Sequence, residues 1–182
     1  TEGDAKRGDD GTREEIDASS CGRCVNLIGF SFGARVVYAC LKELLRLQEL
    51  WDEERFSPSN KVNIVDCDDG TSFICAREPK SVVGNVVVMG MPAHVKRDKW
   101  ASIRERVVAG RIVNCWSSRD DVVKLLFQYR RKLGSIGAKG EVVGCQPVGV
   151  EGVEDIDASE VVLQHEDWGT KVRDVFALVG EL

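Results

Sequence analysis

Gly29-Phe30-Ser31-Phe32-Gly33 joins two stretches of different periodicity. Upstream, Cys24-Val25-Asn26-Leu27-Ile28-Gly29-Phe30 is a short apolar run that reads as a buried strand. Downstream, from Phe32 to about Glu49, Val37, Cys40, Leu41, Leu44 and Leu45 recur at helical spacing on one face. A strand, a sharp turn carrying a serine and then a helix is the setting that makes G-x-S-x-G a nucleophile elbow. A helix packed straight back on its own strand leaves no room for side chains two residues either side of the serine, which accounts for Gly29 and Gly33. Ser31 would then stand at a helix N-terminus, where free N–H groups and the helix dipole favour developing negative charge.

Alternating patterns continue outward from this point. Val86-Val87-Val88-Met89-Gly90 suits a strand buried on both faces, and Arg111 to Trp116 suits another. Trp100, Ile103 and Val107 mark a helix beginning near Asp98, and Val122, Leu125, Leu126 and Tyr129 mark a second. Glu141 to Val148 is expected as a short strand, and a last helix carries Val172, Val175, Phe176 and Val179 on its buried face. Strands alternating with helices argue for an α/β fold, a mostly parallel sheet with helices on both faces. Residues 1–20 are polar and charged and read as a flexible tail. Residues from about 52 to 80 read as an irregular surface insertion with a weak strand at Val62–Val65 or Ser72–Ala76. The glycine-rich stretch Gly134 to Gly140 lacks the strand–helix setting of a phosphate-binding fingerprint and reads as a flexible loop. Residues 21–182 thus form part of a single domain.

Composition narrows the function classes. The chain has 182 residues, 43% hydrophobic and 30% charged, with a formal net charge of −5, which argues against a nucleic-acid partner. Tyr129-Arg130-Arg131-Lys132 is read as the solvated end of a helix rather than a binding patch. No apolar run reaches the roughly 18 residues a membrane span needs. Seven scattered cysteines suggest reduced, mostly buried thiols and an intracellular setting. Cys21-Gly22-Arg23-Cys24 precedes a strand instead of opening a helix, and no second pair completes a zinc site, so it is read as two thiols at a strand entrance. Nothing in these patterns calls for a metal or a cofactor.

A serine nucleophile needs a base to take its proton and a carboxylate to orient the base. The chain has two histidines. His94 follows the first strand after Ser31, too early for the usual base, whereas His165 lies late, just ahead of the last helix, as the Ser, Asp/Glu, His order requires. The acid should follow an intervening strand, and Ser117-Ser118-Arg119-Asp120-Asp121 offers two carboxylates. Asp120 is favoured because Asp121 falls inside the next helix, and either could instead cap that helix. The N–H of Phe32 supplies one oxyanion donor. The second normally comes from a loop well upstream, so the strands that ordinarily precede the elbow are expected to be missing from this stretch. Losing such a donor costs about 3 kcal/mol, on the order of a hundredfold or more in rate.

Val25-Asn26-Leu27-Ile28-Gly29-Phe30-Ser31-Phe32-Gly33-Ala34-Arg35-Val36-Val37 resembles the elbow of the transmembrane and coiled-coil domain-containing protein 4 family, α/β-hydrolase-like proteins regarded as lipases or esterases. Val86 to Pro92 with Trp100, Gly110 to Asp120, and Val143 to Val148 with Val153 to Asp157 and His165-Glu166-Asp167-Trp168 continue the resemblance in order. Gln164 and Phe32 depart from the family's usual glycine and leucine. The resemblance implies the C-terminal part of an α/β-hydrolase domain. In it Ser31, Asp120 and His165 are nucleophile, acid and base, the substrate is an ester or lipid, and membrane association comes through regions outside this chain. The alternative is a hydrolase-like module without catalysis, serving binding or structure in a larger membrane-associated assembly.

Overall fold

The computed structural model describes residues 24–55, 63–66, 72–75, 78–132 and 141–182. The expected N-terminal tail, Cys21 and the glycine-rich stretch from Gly134 to Gly140 lie outside them. Four strands, β1 (Val25–Phe30), β4 (Val83–Met89), β5 (Ile112–Trp116) and β6 (Val153–Asp157), form one sheet in the order β1-β4-β5-β6. Every pairing in it is parallel. Helices α1 (Phe32–Arg55), α2 (Arg97–Arg106), α3 (Asp121–Lys132), α4 (Asp167–Thr170) and α5 (Val172–Val179) fill the connections. Between α1 and β4, β2 (Asn63–Asp66) and β3 (Ser72–Cys75) pair antiparallel as a separate ribbon.

The alternation of β4 sorts the core into two layers. Val86 and Val88 face a cluster containing Leu41 and Leu45 of α1 and Trp100 and Ile103 of α2. Val87 and Met89 face the opposite cluster, with Val113, Cys115, Trp168, and Val175 and Val179 of α5. A strand covered on both sides is a continuous apolar run because neither pleat reaches water. The sheet is therefore α/β in class, with helices against both faces.

Several expectations are corrected in detail. Helix α1 extends beyond Glu49 to Arg55 and buries Ala34, Tyr38, Leu41 and Leu45, while Cys40 is exposed. In the insertion, Gln48 of α1 donates to Asp52 and Glu78 and accepts from the Lys80 N–H, tying the return of the chain to the helix. The stretch Glu141 to Val148 is not a strand. It makes one bridge at Val142 and then a 3-10 turn, Val143–Cys145. There the N–H groups of Val143 and Gly144 donate to the Ala93 and Met91 carbonyls. Gly144 lies so close to the Gly90–Met91 backbone that a Cβ would fall 2.4 Å from the Gly90 carbonyl carbon.

The strand that completes the sheet is β6, whose charged sequence Val153-Glu154-Asp155-Ile156-Asp157 hid it. Its carboxylates are spoken for: Asp155 accepts from Asn114 and from the Val148 and Gly149 N–H groups, and Glu154 pairs with Arg111 at 2.7 Å. In α3 the apolar stripe points outward. Val122, Leu125 and Leu126 are exposed, and Val123 is buried instead. Thiols are less buried than composition suggests, since Cys24 and Cys40 are exposed, Cys145 is half-buried and Cys115 is fully buried.

Candidate active site

Because all four strands of the main sheet run parallel, their C-terminal ends share one edge, and the loops leaving them meet there. Ser31 directly follows β1, Gly90 follows β4, Asp120 follows β5 and His165 follows β6. Residues far apart in the chain thereby become neighbours.

Ser31 has φ 51°, the one positive φ among the described non-glycine residues. Its N–H continues the ladder by donating to the Met89 carbonyl at 2.9 Å, and α1 starts at the next residue. A serine in the left-handed region costs on the order of 1 kcal/mol, a strain that the surrounding strand and helix must hold. Gly29 behaves as expected: a Cβ there would lie 2.8 Å from the Ala34 nitrogen and the Gly33 carbonyl. Gly33 does not, because a Cβ on it would meet nothing within 4 Å. The close approach runs from Gly29 onto the Gly33–Ala34 backbone, so crowding explains only one of the two glycines.

The Ser31 hydroxyl oxygen is 2.9 Å from Nε2 of His165. Nδ1 of His165 is 2.8 Å from Oδ2 of Asp120, whose side chain is fully buried. The same oxygen accepts the indole N–H of Trp168 at 2.8 Å, and Oδ1 accepts the Val123 N–H at 3.0 Å. Asp120 therefore caps α3 with one oxygen and receives the imidazole with the other. The capping reading is thus met by the Val123 contact, while the other oxygen lies within hydrogen-bond reach of the imidazole. An ionised carboxylate accepts only, and the tautomer that matches it has the proton on Nδ1, leaving Nε2 to accept from Ser31. Asp121 lies in the first turn of α3, exposed and paired with Lys124 at 3.0 Å. His94 sits away from this arrangement, bridging to Val142.

Neighbouring residues that sequence reasoning passed over hold the three in place. Trp168 is fully buried and lies on Gly90, where φ is 54° and a Cβ would fall 2.4 Å from the indole nitrogen. Asp167 accepts the Leu163 and Gln164 N–H groups and pairs with Lys171 at 3.1 Å, closing the loop that carries His165. The Leu163 N–H, chiefly, with Lys171 and the Gln164 N–H, holds the Asp167 carboxyl below its ordinary range. On the acid side, Ser117 donates to the Val162 carbonyl at 2.7 Å and Ser159 accepts the Ser118 N–H at 3.0 Å. These bonds fasten the loop after β5 to the loop after β6. The visible signal was Asp-Trp directly after His165-Glu166: a carboxylate and an indole donor two and three residues beyond the imidazole.

Burial pushes the thiol of Cys145 up to about 11 and that of Cys115 to about 12, so neither is a nucleophile near neutral pH. Among the described residues no cluster of His, Cys, Asp and Glu could hold a metal ion.

The four-stranded parallel sheet with its helices places the domain in the α/β class, and a serine, a histidine and an aspartate meet at the sheet's C-terminal edge. The chain belongs to the family described as protein of unknown function DUF726, whose pattern matches residues 14–51 and 70–181. It is 31% identical to the transmembrane and coiled-coil domain-containing protein STS1 of Oryza sativa subsp. japonica, over 84% of this chain and 18% of that protein. It is 28% identical to an uncharacterized membrane protein of Schizosaccharomyces pombe, over 87% of this chain and 16% of the relative. It is 27% identical to the probable lipase MIL1 of Saccharomyces cerevisiae, over 87% of this chain and 12% of that protein. The chain thus spans less than a fifth of the length of these three relatives. No solved structure matches it significantly. Although relatives are named as membrane proteins, no helix among the described residues is long and apolar enough to cross a membrane.

Proposed function

We propose that this chain carries the reacting centre of a serine hydrolase of the α/β-hydrolase type, acting on a carboxylic ester. Kinship with a relative named a probable lipase makes a lipid ester the favoured substrate. One observation carries the reading: Ser31, at φ 51° between strand and helix, has its hydroxyl 2.9 Å from an imidazole that is backed by a buried carboxylate. Strain of that kind is what a nucleophile elbow holds, here with Ser31 itself 8% exposed.

In this reading Ser31 Oγ attacks the ester carbonyl carbon while Nε2 of His165 takes the hydroxyl proton. Asp120 keeps the imidazole in the productive tautomer and stabilises the imidazolium. Phe32 opens α1, so its N–H has no intrahelical acceptor and can donate to the oxyanion. The C–O bond to the alcohol breaks as His165 returns the proton to it. Water, activated by the same imidazole, then cleaves the acyl-serine. The chemistry asks for no cofactor. Nucleic acid is not a partner in this account, and attachment to a membrane would come from other regions of a longer, intracellular protein.

A second reading, a binding or structural module without turnover, draws support from the sheet edge. Ser31 follows the outermost strand, and Ile28 and Phe30 on that strand are about half exposed. A fluorophosphonate probe separates the two. Labelling of the wild-type protein that disappears in Ser31→Ala is expected for the hydrolase. A folded wild-type protein that takes no label favours the module.

A further inference from the structure

A hollow of about 280 Å³ opens between α1, the start of α2 and the segment after β4. Arg35, Tyr38 and Lys42 line it from α1, His94 from the segment, and Lys96 and Lys99 from the α2 end. Four of these six are cations at neutral pH, and none of the lining residues is acidic. That concentration runs against a chain whose net charge is −5.

Arg35, Lys42, Lys96 and Lys99 make no ion pair with any described residue, yet other basic residues on the same two helices are paired. Arg46 meets Glu43 at 2.6 Å, Arg97 meets Glu141 at 2.7 Å and Arg106 meets Asp52 at 2.6 Å. The α1 cations rest on aromatic faces instead, Arg35 at 5.9 Å from the Phe32 ring and Lys42 at 5.3 Å from the Tyr38 ring. Tyr38 is 7% exposed, and its buried hydroxyl has no hydrogen-bond partner among the described residues. Like charges gathered round one concavity repel each other, and an anion placed among them removes that cost.

We propose that this hollow binds a phosphate group, with Arg35, Lys42, Lys96 and Lys99 as its counter-charges. Phosphate fits better than a single carboxylate because several acceptor oxygens with close to two charges can engage several donors at once. The volume suits a headgroup. Arg35 stands one helical turn, about 6 Å along the axis, from Ser31. If the hydrolase reading holds, the phosphate belongs to the ester substrate or the lipid surface that presents it; binding itself does not depend on that reading.

The test uses the whole chain at low salt. Wild type is titrated with glycerol 3-phosphate and, separately, co-sedimented with phosphatidylcholine vesicles with and without phosphatidic acid. The same measurements are made on Lys42→Gln with Lys99→Gln and on a control that removes equal charge elsewhere, Arg46→Gln with Arg173→Gln. Binding is expected to weaken about tenfold or more in the cleft variant and to persist in the control, as loss of two charge-assisted contacts requires. Vesicle binding that depends on phosphatidic acid assigns the site to a lipid headgroup. Saturable binding of glycerol 3-phosphate without vesicle binding assigns it to a soluble phosphate ester. Ser31→Ala should bind as wild type does, so failure of the catalytic reading leaves this result intact. The proposal is overturned if wild type binds neither probe, or if the cleft variant binds as tightly as the control.

Discussion

Replacing Asp120 with asparagine removes one charge and changes almost no volume, yet the structure gives the amide no satisfactory orientation. Three N–H donors converge on the buried carboxylate: Val123 on Oδ1, and His165 and Trp168 on Oδ2. An asparagine offers one acceptor oxygen and one donor group. With its oxygen toward His165 and Trp168, the amide NH₂ faces the Val123 N–H. The cap of α3 is then lost at about 1 kcal/mol, and a buried donor left unpaired adds about 1–3 kcal/mol. With the oxygen toward Val123, the amide NH₂ faces Nδ1, which must then accept. The proton moves to Nε2, the indole loses its partner, and Ser31 faces a donor where it needs a base. By these increments the first orientation costs about 2–4 kcal/mol of stability and the second, which keeps the cap, about 1–3 kcal/mol. The second also removes the base, worth about 10⁴-fold in turnover by analogy with other serine hydrolases. Hydrolysis of a p-nitrophenyl ester, fluorophosphonate labelling rate and urea unfolding would be measured side by side on Asp120→Asn and wild type. A folded Asp120→Asn protein that labels and turns over at the wild-type rate would refute the reasoning, because the carboxylate would then be a helix cap and nothing more.

Ser31→Gly should abolish labelling and, by relieving the positive φ, raise unfolding free energy by up to about 1 kcal/mol; a clear loss of stability would show the turn is not strained. Asp167 contributes stability in full above the ordinary carboxylate pKa, near 4, and loses it as the pH falls through its lowered folded value. Wild type should therefore lose unfolding free energy more steeply than Asp167→Asn below about pH 4, and parallel pH profiles would contradict the assignment. Thiol alkylation of native protein at pH 8, mapped by mass spectrometry, should modify exposed Cys40 and spare Cys115, whose pKa lies at about 12; early modification of Cys115 would mean the core opens.

The legibility of this chain in its sequence was uneven for physical reasons. Runs such as Val86-Val87-Val88-Met89 announce strands buried on both faces, and Trp100 with Ile103 announces a helix face, because burial imposes its period directly on the residues. Strand β6 escaped notice because its polar side chains are satisfied by distant partners, Arg111 and Asn114 among them, which no local pattern records. The stretch Glu141 to Val148 misled in the opposite direction. Its apolar residues pack in the core, but its backbone bonds go to the loop after β4, so apolar content did not imply a strand. Outward-facing Val122, Leu125 and Leu126 show that helical spacing identifies a helix without deciding which neighbour, if any, covers its stripe.

What the residues alone determined is the local grammar: a strand–serine–helix junction, alternating elements that demand a parallel sheet, and the order serine, aspartate, histidine. Tertiary structure decided what those residues touch. Only folding brings Trp168 onto Gly90 and aims its indole at Asp120, leaves Gly33 uncrowded while Gly29 is not, and gathers four like charges around one hollow. The physical reason is range. Periodicity and turn chemistry act over a few residues and are written along the chain, whereas hydrogen-bond satisfaction and electrostatic convergence join positions more than a hundred residues apart, as Ser31 and His165 are.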